Sequence, residues 1–555
     1  MLWRSVGLRG AALALVGLYT WLLVRTAWIG DDAYITFRAL ENFLHGYGPV
    51  FNVGERVQVF THPLWFLIQA AANAVVGLWR NNPFGNAQLF FLNLLFSIGL
   101  SFLVVFLLAG WTATSARGAL LAVATLVLSK AYLDYSTSGL ENPLTHLLLL
   151  LFATVYLSPA PFDAVARAAA SGSGELAEED ARDRAIAGYT RTWEGRRIAT
   201  LSVLAGVGAL DRLDTLLLYL PALAYAVWRS VKPRAALGRA FLGFLPLVTW
   251  ELFSLFYYGA PFPNTAYAKI NTGIPVADLA RQAMHYFGNS LRLDPITLVV
   301  ILLTCVAAIL GRSAPLRAVA AGVLLYLFYT ILIGGDFMSG RYFSAPLLVC
   351  AVLVARAKWG PRPRLALSAI ALLAVGLAPM ALVPERRPDF GVGSGVGHRI
   401  YDDGHGISDE RRVYAGLTLL NALSEGPPEV HAASERWVYV PTSPVDVRLI
   451  GPLGMRGYVL GPNVHVIDLN SLADPLMPRL PLYETEHWRV GHFRHVIPEG
   501  YKETLATGVN QILDPDIASY YTHLRLVVRG PLWTLERISE IWRLNTGRYD
   551  HLLGP

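Results

Sequence analysis

Charge is scarce in this sequence. Only 15% of its residues are charged, against about 25% in an ordinary soluble domain, and 54% are hydrophobic. That balance excludes a soluble fold for the whole chain and fits a polytopic membrane protein. Lysine is scarcer still: it supplies five of the 46 basic residues, so a lysine in a polar loop stands out. The two cysteines, Cys305 and Cys350, both lie in apolar runs, which excludes a disulfide framework or a cysteine-rich zinc site. A net charge of +6 is small for 555 residues. The arginines sit largely in short loops between apolar runs, a pattern of membrane topology with no nucleic-acid partner.

Long apolar runs are what the chain has in abundance. They fill residues 11 to 383, and a stretch of ordinary globular composition follows from 384 to 555. Two domains are expected: a transmembrane α-helical domain over 1–383 and a C-terminal domain over 384–555, long enough to bury its own core. Crossing helices are predicted at 11–28, 88–109, 118–131, 143–157, 198–211, 215–229, 239–257, 296–311, 317–333, 343–356 and 364–383. The first follows Arg4 and Arg9 without a small-residue cleavage pattern, so it reads as a retained helix and not a signal peptide.

The run 63–79 contains Gln69 and Asn73, and charge decides its status. If it does not cross, the basic segments near Arg117, Arg229–Arg239, Arg312–Arg317 and Arg356–Arg364, with the charged loop 158–197, share the cytoplasmic side. If it crosses, the later basic loops move outside. The first arrangement gives eleven crossings, an interfacial helix at 63–79 and a C-terminal domain on the periplasmic side. The same topology sends IGDDAYITFR (29–38), VFNVGERVQVFTHPLW (50–65), YSTSGLENPL (135–144), LDRLD (210–214), YYGAPFPNTAYAK (257–269) and GGDFMSGRYF (334–343) to the outer face. Polar chemistry therefore gathers at one face.

Asp31 and Asp32 lie where the first apolar run stops. Carboxylates at a membrane edge are often functional; the competing reading is a helix end paired with Arg38. The stretch after them is amphipathic, with Tyr34, Phe37, Leu40 and Phe43 near helical spacing, and reads as a helix along the membrane surface. In the C-terminal domain, which holds nine of the thirteen histidines, DDGHGISDE (402–410) reads as turns. HWRVGHFRH (487–495) lacks a zinc spacing. Alternation over 436–451 and 463–470 predicts strands and ETLATGVNQILD a helix, hence an α/β domain.

The first external loop, with DD, VFNVGERV and THPLW, together with YSTSGLENPL, DRLD, YYGAPFPNTAYAK and GGDFMSGRYF, resembles GT-C-type glycosyltransferases. Those membrane enzymes take a sugar from a polyprenyl phosphate. HVIDLNSLADPLMPRLP (465–481) and HWRVGHFRHVIPEGY (487–501) are similar to the external domain of actinobacterial, mycobacterial-type, terminal arabinofuranosyltransferases. VQVFTHPLW departs from the Glu-Gly-Tyr-Thr version of many relatives.

The resemblance implies transfer of arabinofuranose from decaprenyl-phosphoryl-arabinofuranose to arabinan of arabinogalactan or lipoarabinomannan, forming terminal β-(1→2) linkages outside the cytoplasmic membrane. Its partners would be that donor, an arabinan acceptor and membrane lipid, with the protein a monomer. Another donor sugar, such as mannose, or a lipid-linked sugar transporter are the rival readings. Asp31 is the first expected catalytic carboxylate and Asp32 the second, as base, nucleophile or charge stabiliser. Lys269, Arg341 and, more weakly, Arg212 are expected at the donor phosphate, against a reading as snorkelling cations. Glu141, Asp214, Tyr257, Asn264, Asp336, Tyr342 and His492 are expected at the sugars, where acceptors and aromatic platforms combine. No cofactor is required. A divalent cation (Mg, Mn or Ca) near Asp31 is the one alternative, and two adjacent carboxylates are a poor metal signature.

Overall fold

The computed structural model describes residues 6–78, 84–158, 176–270, 272–359, 368, 370–377, 403–428, 430, 431, 437–486 and 488–554. Of residues 6, 7, 9 and 176–191 it describes the backbone alone. The 384 boundary, His487 and most of the run 364–383 lie outside the described residues.

The apolar runs become helices largely where they were expected. They are α1 (Val6–Thr26), α4 (Gln88–Leu107), α5 (Ala116–Leu128), α7 (Asn142–Leu157) and α9 (Leu216–Trp228). Next come α10 (Pro233–Gly243), α11 (Leu245–Tyr257), α14 (Pro295–Leu310), α15 (Ala314–Leu332) and α16 (Arg341–Arg356). Between them lie α2 (Asp31–Leu44), α3 (Pro63–Gly77), α6 (Lys130–Asp134), α8 (Leu176–Asp211), α12 (Asn264–Ile270) and α13 (Val276–Leu293). Proline marks the first turn of α3, α7, α10, α11, α14 and α15, where its missing N–H would have no helical partner anyway.

Two helices, Gly85–Thr112 and Ala314–Leu332, are long and apolar enough to cross a membrane alone. Two bent pairs pass together, α10 with α11 at 47° and α13 with α14 at 109°. Two to four clear spans among the described residues are fewer than the eleven crossings expected. The other apolar helices have 17 residues or fewer and reach about 25 Å, short of a hydrocarbon core of about 30 Å. Their outward faces are nonetheless apolar, with Leu13, Trp21, Val75 and Leu220 exposed, as a lipid-facing surface requires.

Three local expectations change. From Leu176 the charged loop is helical and runs into α8 as one helix of 36 residues; its Ala, Glu and Arg are strong helix formers. The α2 helix does not lie free on a membrane surface. Its residues from Ala33 to Leu40 are buried in a core with Phe51, Tyr458, Val464 and Val466. The C-terminal region contains α17 (Glu410–Val413), α18 (Leu419–Glu425), α19 (Gly454–Val459), α20 (Tyr501–Thr507), α21 (Pro515–Arg529), α22 (Leu535–Asn545) and, among the described residues, one small sheet. That sheet pairs β1 (Asp446–Ile450) with β2 (Val464–Asp468) in parallel. The expected strand does not extend back over 437–445, where Pro441 and Pro444 remove ladder donors. The helix α20 stops at Gly508, whose φ of +75° ends it in the left-handed region.

The C-terminal segment is stitched to the first loop and the bundle. Ile29 N–H donates to Leu417 O (3.2 Å) and Leu419 N–H to Ala27 O (3.0 Å), while Ser408 N–H donates to Phe337 O (2.7 Å). Arg38, fully buried, donates to the carbonyls of Phe51, Gly457 and Val464. It is engaged there and does not pair with Asp31.

Candidate active site

The two aspartates open α2 and have different surroundings. The Asp31 carboxylate accepts the backbone N–H groups of Gly454 (3.0 Å) and Met455 (2.8 Å) and so caps the first turn of α19. The approach needs a glycine: a Cβ on Gly454 would lie 2.0 Å from Asp31 O and 2.4 Å from its Oδ2. Burial, with the neighbouring Asp32 charge, raises the Asp31 carboxyl to about 6 against the pull of the two amides. Asp32 is only half-buried and has no hydrogen bond or ion pair among the described residues. Burial raises its proton affinity, while Arg341 and Lys269 oppose that rise and Glu141 adds to it. The geometry distinguishes the pair: Asp31 is tied to the α19 backbone, and Asp32 feels the charges of Arg341 and Lys269.

Opposite Asp32 stands a cationic cluster organised by Glu141, which is fully buried at the entrance to α7. Glu141 Oε1 lies 3.0 Å from Arg212 Nη1 and 3.4 Å from Arg341 Nη2, and its Oε2 lies 3.2 Å from His62 Nδ1. Arg212 is further held by Asp214, at 2.7 and 2.9 Å, and its guanidinium covers the Tyr342 ring at 4.8 Å. Asp211 takes no part in that pairing; it accepts from Thr145 Oγ1 at 2.7 Å. Arg341 Nη1 is 3.7 Å from Asp336 Oδ2, and Asp336 Oδ1 accepts the Phe337 N–H. Glu141 thus sits between three bases, and Asp214 and Asp336 each hold one arginine in place.

Lys269, near the end of α12, has no ion pair or hydrogen bond among the described residues. Although Lys269 as a whole is exposed, desolvation of its amine lowers its proton affinity, and Asp336 and Asp32 push it back up. Arg212 and Arg341 are neutralised in part by carboxylates, so Lys269 is the cation most available to an anionic ligand. His492 lines the same place: its ring meets Phe337 edge-on at 4.5 Å. Burial and the charge of Arg489 push its imidazole down to about 4, so it is neutral at physiological pH.

The fold thus brings together Asp32, Lys269, Arg341, Arg212, Glu141, Asp214, Asp336, Tyr342 and His492. It leaves out Tyr257 and Asn264. Tyr257 stacks on Phe253 (5.3 Å), and its carbonyl accepts from Arg537 Nη2 (2.9 Å), at the junction with the C-terminal helices. Asn264 Nδ2 donates to the carbonyls of Ser471, Leu472 and Asp474 at 2.8–3.1 Å. Its amide joins two segments and is not offered to a sugar.

Two residues join the site that were not singled out. His62, within THPLW, links Glu141 to Thr36 Oγ1 (2.9 Å) on α2. Glu410, the last residue of the string read as turns, is buried at the start of α17. Burial and the Asp32 charge raise its carboxyl to about 8, against the pull of Arg489. The turns themselves are present: Asp403 Oδ1 accepts the N–H groups of His405 (2.9 Å) and Ile407 (3.3 Å). Nothing in local sequence separates Glu410 from them, because its role comes from a long-range approach to Asp32. Among the described residues no group of three or more His, Cys, Asp or Glu is arranged to hold a metal ion.

No family model matches the chain. It is 28% identical, over an alignment 588 positions long that covers 90% of this chain and 84% of the relative, to a terminal beta-(1->2)-arabinofuranosyltransferase of Mycobacterium tuberculosis. A protein of the same name from Corynebacterium glutamicum is 28% identical over 559 residues, 84% of this chain and 72% of that one. Solved structures overlap more loosely. ArnT of Cupriavidus metallidurans, bound to undecaprenyl phosphate, covers 84% of this chain and 87% of its own at 14% identity and a TM-score of 0.44. Archaeal oligosaccharyltransferase AglB of Archaeoglobus fulgidus, in complex with an inhibitory peptide and a dolichol-phosphate, covers 81% and 64% at 11% identity and a TM-score of 0.40. Along most of its length, the chain is similar to terminal beta-(1->2)-arabinofuranosyltransferases, as the motifs of the first external loop and the C-terminal region led us to expect.

Proposed function

We propose that this chain is a membrane glycosyltransferase of the GT-C type. It transfers arabinofuranose from decaprenyl-phosphoryl-arabinofuranose to the non-reducing ends of arabinan, forming terminal β-(1→2) linkages in arabinogalactan and lipoarabinomannan. The similarity to the two named relatives supports the substrate class. The observation that carries the mechanism is Asp32, a carboxylate with no hydrogen bond or ion pair among the described residues, facing the Lys269–Arg341 cations.

Lys269 and Arg341 bind the donor phosphate, and Glu141, Asp214 and Asp336 hold the arginines so that they meet it pre-oriented. An acceptor hydroxyl oxygen attacks the anomeric carbon, and the bond from that carbon to the phosphate oxygen breaks. Polyprenyl phosphate then leaves against the cations. In a single displacement the hydroxyl proton passes to Asp32, and configuration inverts. Retention requires Asp32 to attack the carbon first, or the leaving phosphate to take the proton while Asp32 steadies the developing charge. The anomeric configuration of the product, read by NMR, distinguishes inversion from retention. The reaction takes place on the periplasmic side of the inner membrane, beneath the C-terminal domain, in a bundle of eleven crossings with α3 in the interface.

The test is transfer from labelled polyprenyl-phosphoryl-arabinose to a short arabinan acceptor by purified protein. Asp32→Asn should lower turnover by about 100- to 10,000-fold, the range for losing a general acid–base group, with folding intact. Near-normal transfer would remove Asp32 from the reaction. Lys269→Ala should weaken donor binding, and unchanged donor KM and turnover would refute the phosphate assignment. A panel of donors settles the sugar: transfer of mannose in place of arabinose would overturn the specificity.

A further inference from the structure

The last helix, α22, has an apolar face turned the wrong way for a domain standing in water. Leu535, Ile538 and Trp542 recur at i, i+3 and i+7, one stripe of a helix. They are 85%, 45% and 72% exposed, and the preceding Trp533 is 83% exposed. Two of its charged residues lie on the inward side instead. Arg537 and Glu540 are buried with Ile541, and Asn545 Nδ2 donates to Gly259 O at 2.8 Å. A third stripe carries exposed Glu536 and half-buried Arg543. One helix thus presents three faces, of which one is protein-bound, one polar and one apolar, with nothing covering the apolar one among the described residues.

The position of α22 shows what that face meets. Arg537 donates through Nη1 to Phe256 O (2.8 Å) and through Nη2 to Tyr257 O (2.9 Å), the last carbonyls of the apolar helix α11. Trp533 packs on Phe256 with ring centroids 4.8 Å apart. One turn back along α11, Leu252 and Phe253 are exposed on its outer surface. The apolar face of α22 is therefore continuous with the lipid-facing surface of α11, at the end where that helix leaves the membrane. Tryptophan belongs at such a boundary because its ring is apolar and its indole N–H needs a polar partner.

We propose that α22 is an interfacial helix whose Trp533–Leu535–Ile538–Trp542 face rests in the lipid headgroup layer. The C-terminal region is then held to the membrane by lipid as well as by protein contacts. The inference rests on the reading of α11 as a membrane helix and concerns a different element, so the two can fail separately.

The experiment places a nitroxide on single cysteines in full-length protein in lipid nanodiscs. Native Cys305 and Cys350 are buried and serve as the unlabelled background. Labels at Ile538→Cys and Trp542→Cys are compared with Tyr483→Cys, exposed elsewhere in the C-terminal region, and Leu303→Cys, exposed on α14. Collision with oxygen, which concentrates in lipid, is measured against collision with a water-soluble nickel chelate. The expected result is an oxygen-to-nickel ratio at 538 and 542 shifted away from that at 483 toward that at 303. If 303 reports lipid while 538 and 542 match 483, the inference fails and the membrane reading of the bundle stands. Spin–spin broadening at 542 that vanishes on dilution with unlabelled protein would overturn it in favour of a second copy. Shielding from both reagents would overturn it in favour of another segment of the chain.

Discussion

At the scale of single residues, the arrangement turns on which carboxyl groups carry charge. Asp32 and Glu410 influence each other, and burial raises the proton affinity of both. Glu410 titrates at about 8 and is therefore mostly protonated at neutral pH. Charging it costs hydration and adds repulsion against Asp32. As pH rises through about 8, Glu410 loses its proton and puts a second negative charge near a donor that already bears a phosphate. The donor KM of the native protein should rise across that range. Glu410→Gln cannot ionise, so it should keep native activity near neutrality and lose the alkaline rise. A pH series of initial rates for the two proteins checks this, and parallel profiles would remove Glu410 from the site. On the acid side, Asp32 must be deprotonated to take a proton. Turnover should therefore fall as pH drops, through an apparent pKa above the usual carboxylate range of about 4.

At the scale of elements, Asp31 and Glu141 are joints. Asp31→Asn keeps one acceptor oxygen but turns an amide toward the other N–H of α19. Leaving a buried donor unmatched costs about 1–3 kcal/mol. The expected outcome is a lower Tm with turnover per folded molecule far closer to native than that of Asp32→Asn; equal catalytic loss in both variants would refute the division. Gly454→Ala should behave worse than Asp31→Asn, because the added carbon must push the α2 backbone away. Glu141→Gln removes a charge held by two arginines and a histidine. Breaking a buried ion pair from one side costs about 3–5 kcal/mol, so this variant should lose stability and donor binding together, as thermal unfolding and donor titration will show.

The same scale shows what was readable in advance. Helix positions followed from apolar runs, because burial of an apolar stretch acts within one stretch of chain. Lys269 and Arg341 were singled out because they are conspicuous in polar loops, and the fold brings them near Asp32 and Asp336. The roles of Asp31, Asn264 and Glu410 were not readable. Each depends on a partner about 200 to 400 positions away, Gly454, Ser471 and Asp32 respectively, and one sequence holds no record of such meetings. His62 carried a signal, a histidine in a polar outer loop, but only the approach of Glu141 shows its use.

At the scale of the molecule, the two ends of the bundle differ in chemistry. One end gathers Asp32, Glu141, Arg212, Asp336 and Lys269 under the C-terminal region. At the other, arginines bond helix-end carbonyls: Arg356 donates to Leu157 O (2.7 Å) and Thr112 O (3.3 Å), and Arg117 to Trp359 O (3.4 Å). A concentration of arginine at helix ends is what the positive-inside rule describes for a cytoplasmic face, so the site end should be external. Accessibility of single cysteines in intact cells to a membrane-impermeant maleimide tests this, again with buried Cys305 and Cys350 as background. Tyr483→Cys, exposed in the C-terminal region, should react from outside. Arg312→Cys, exposed in the turn between α14 and α15, should react only after the membrane is opened. A cysteine at Gly85, beyond α3, should react with Tyr483→Cys if α3 stays in the interface. If Gly85→Cys instead joins Arg312→Cys, α3 crosses, the crossing count rises by one, and the first loop and the C-terminal region can no longer share a side through parity alone. Their contact at Ile29–Leu417 and Asp31–Gly454 makes the first result the expected one, since two segments hydrogen-bonded to each other must lie on the same side of the bilayer.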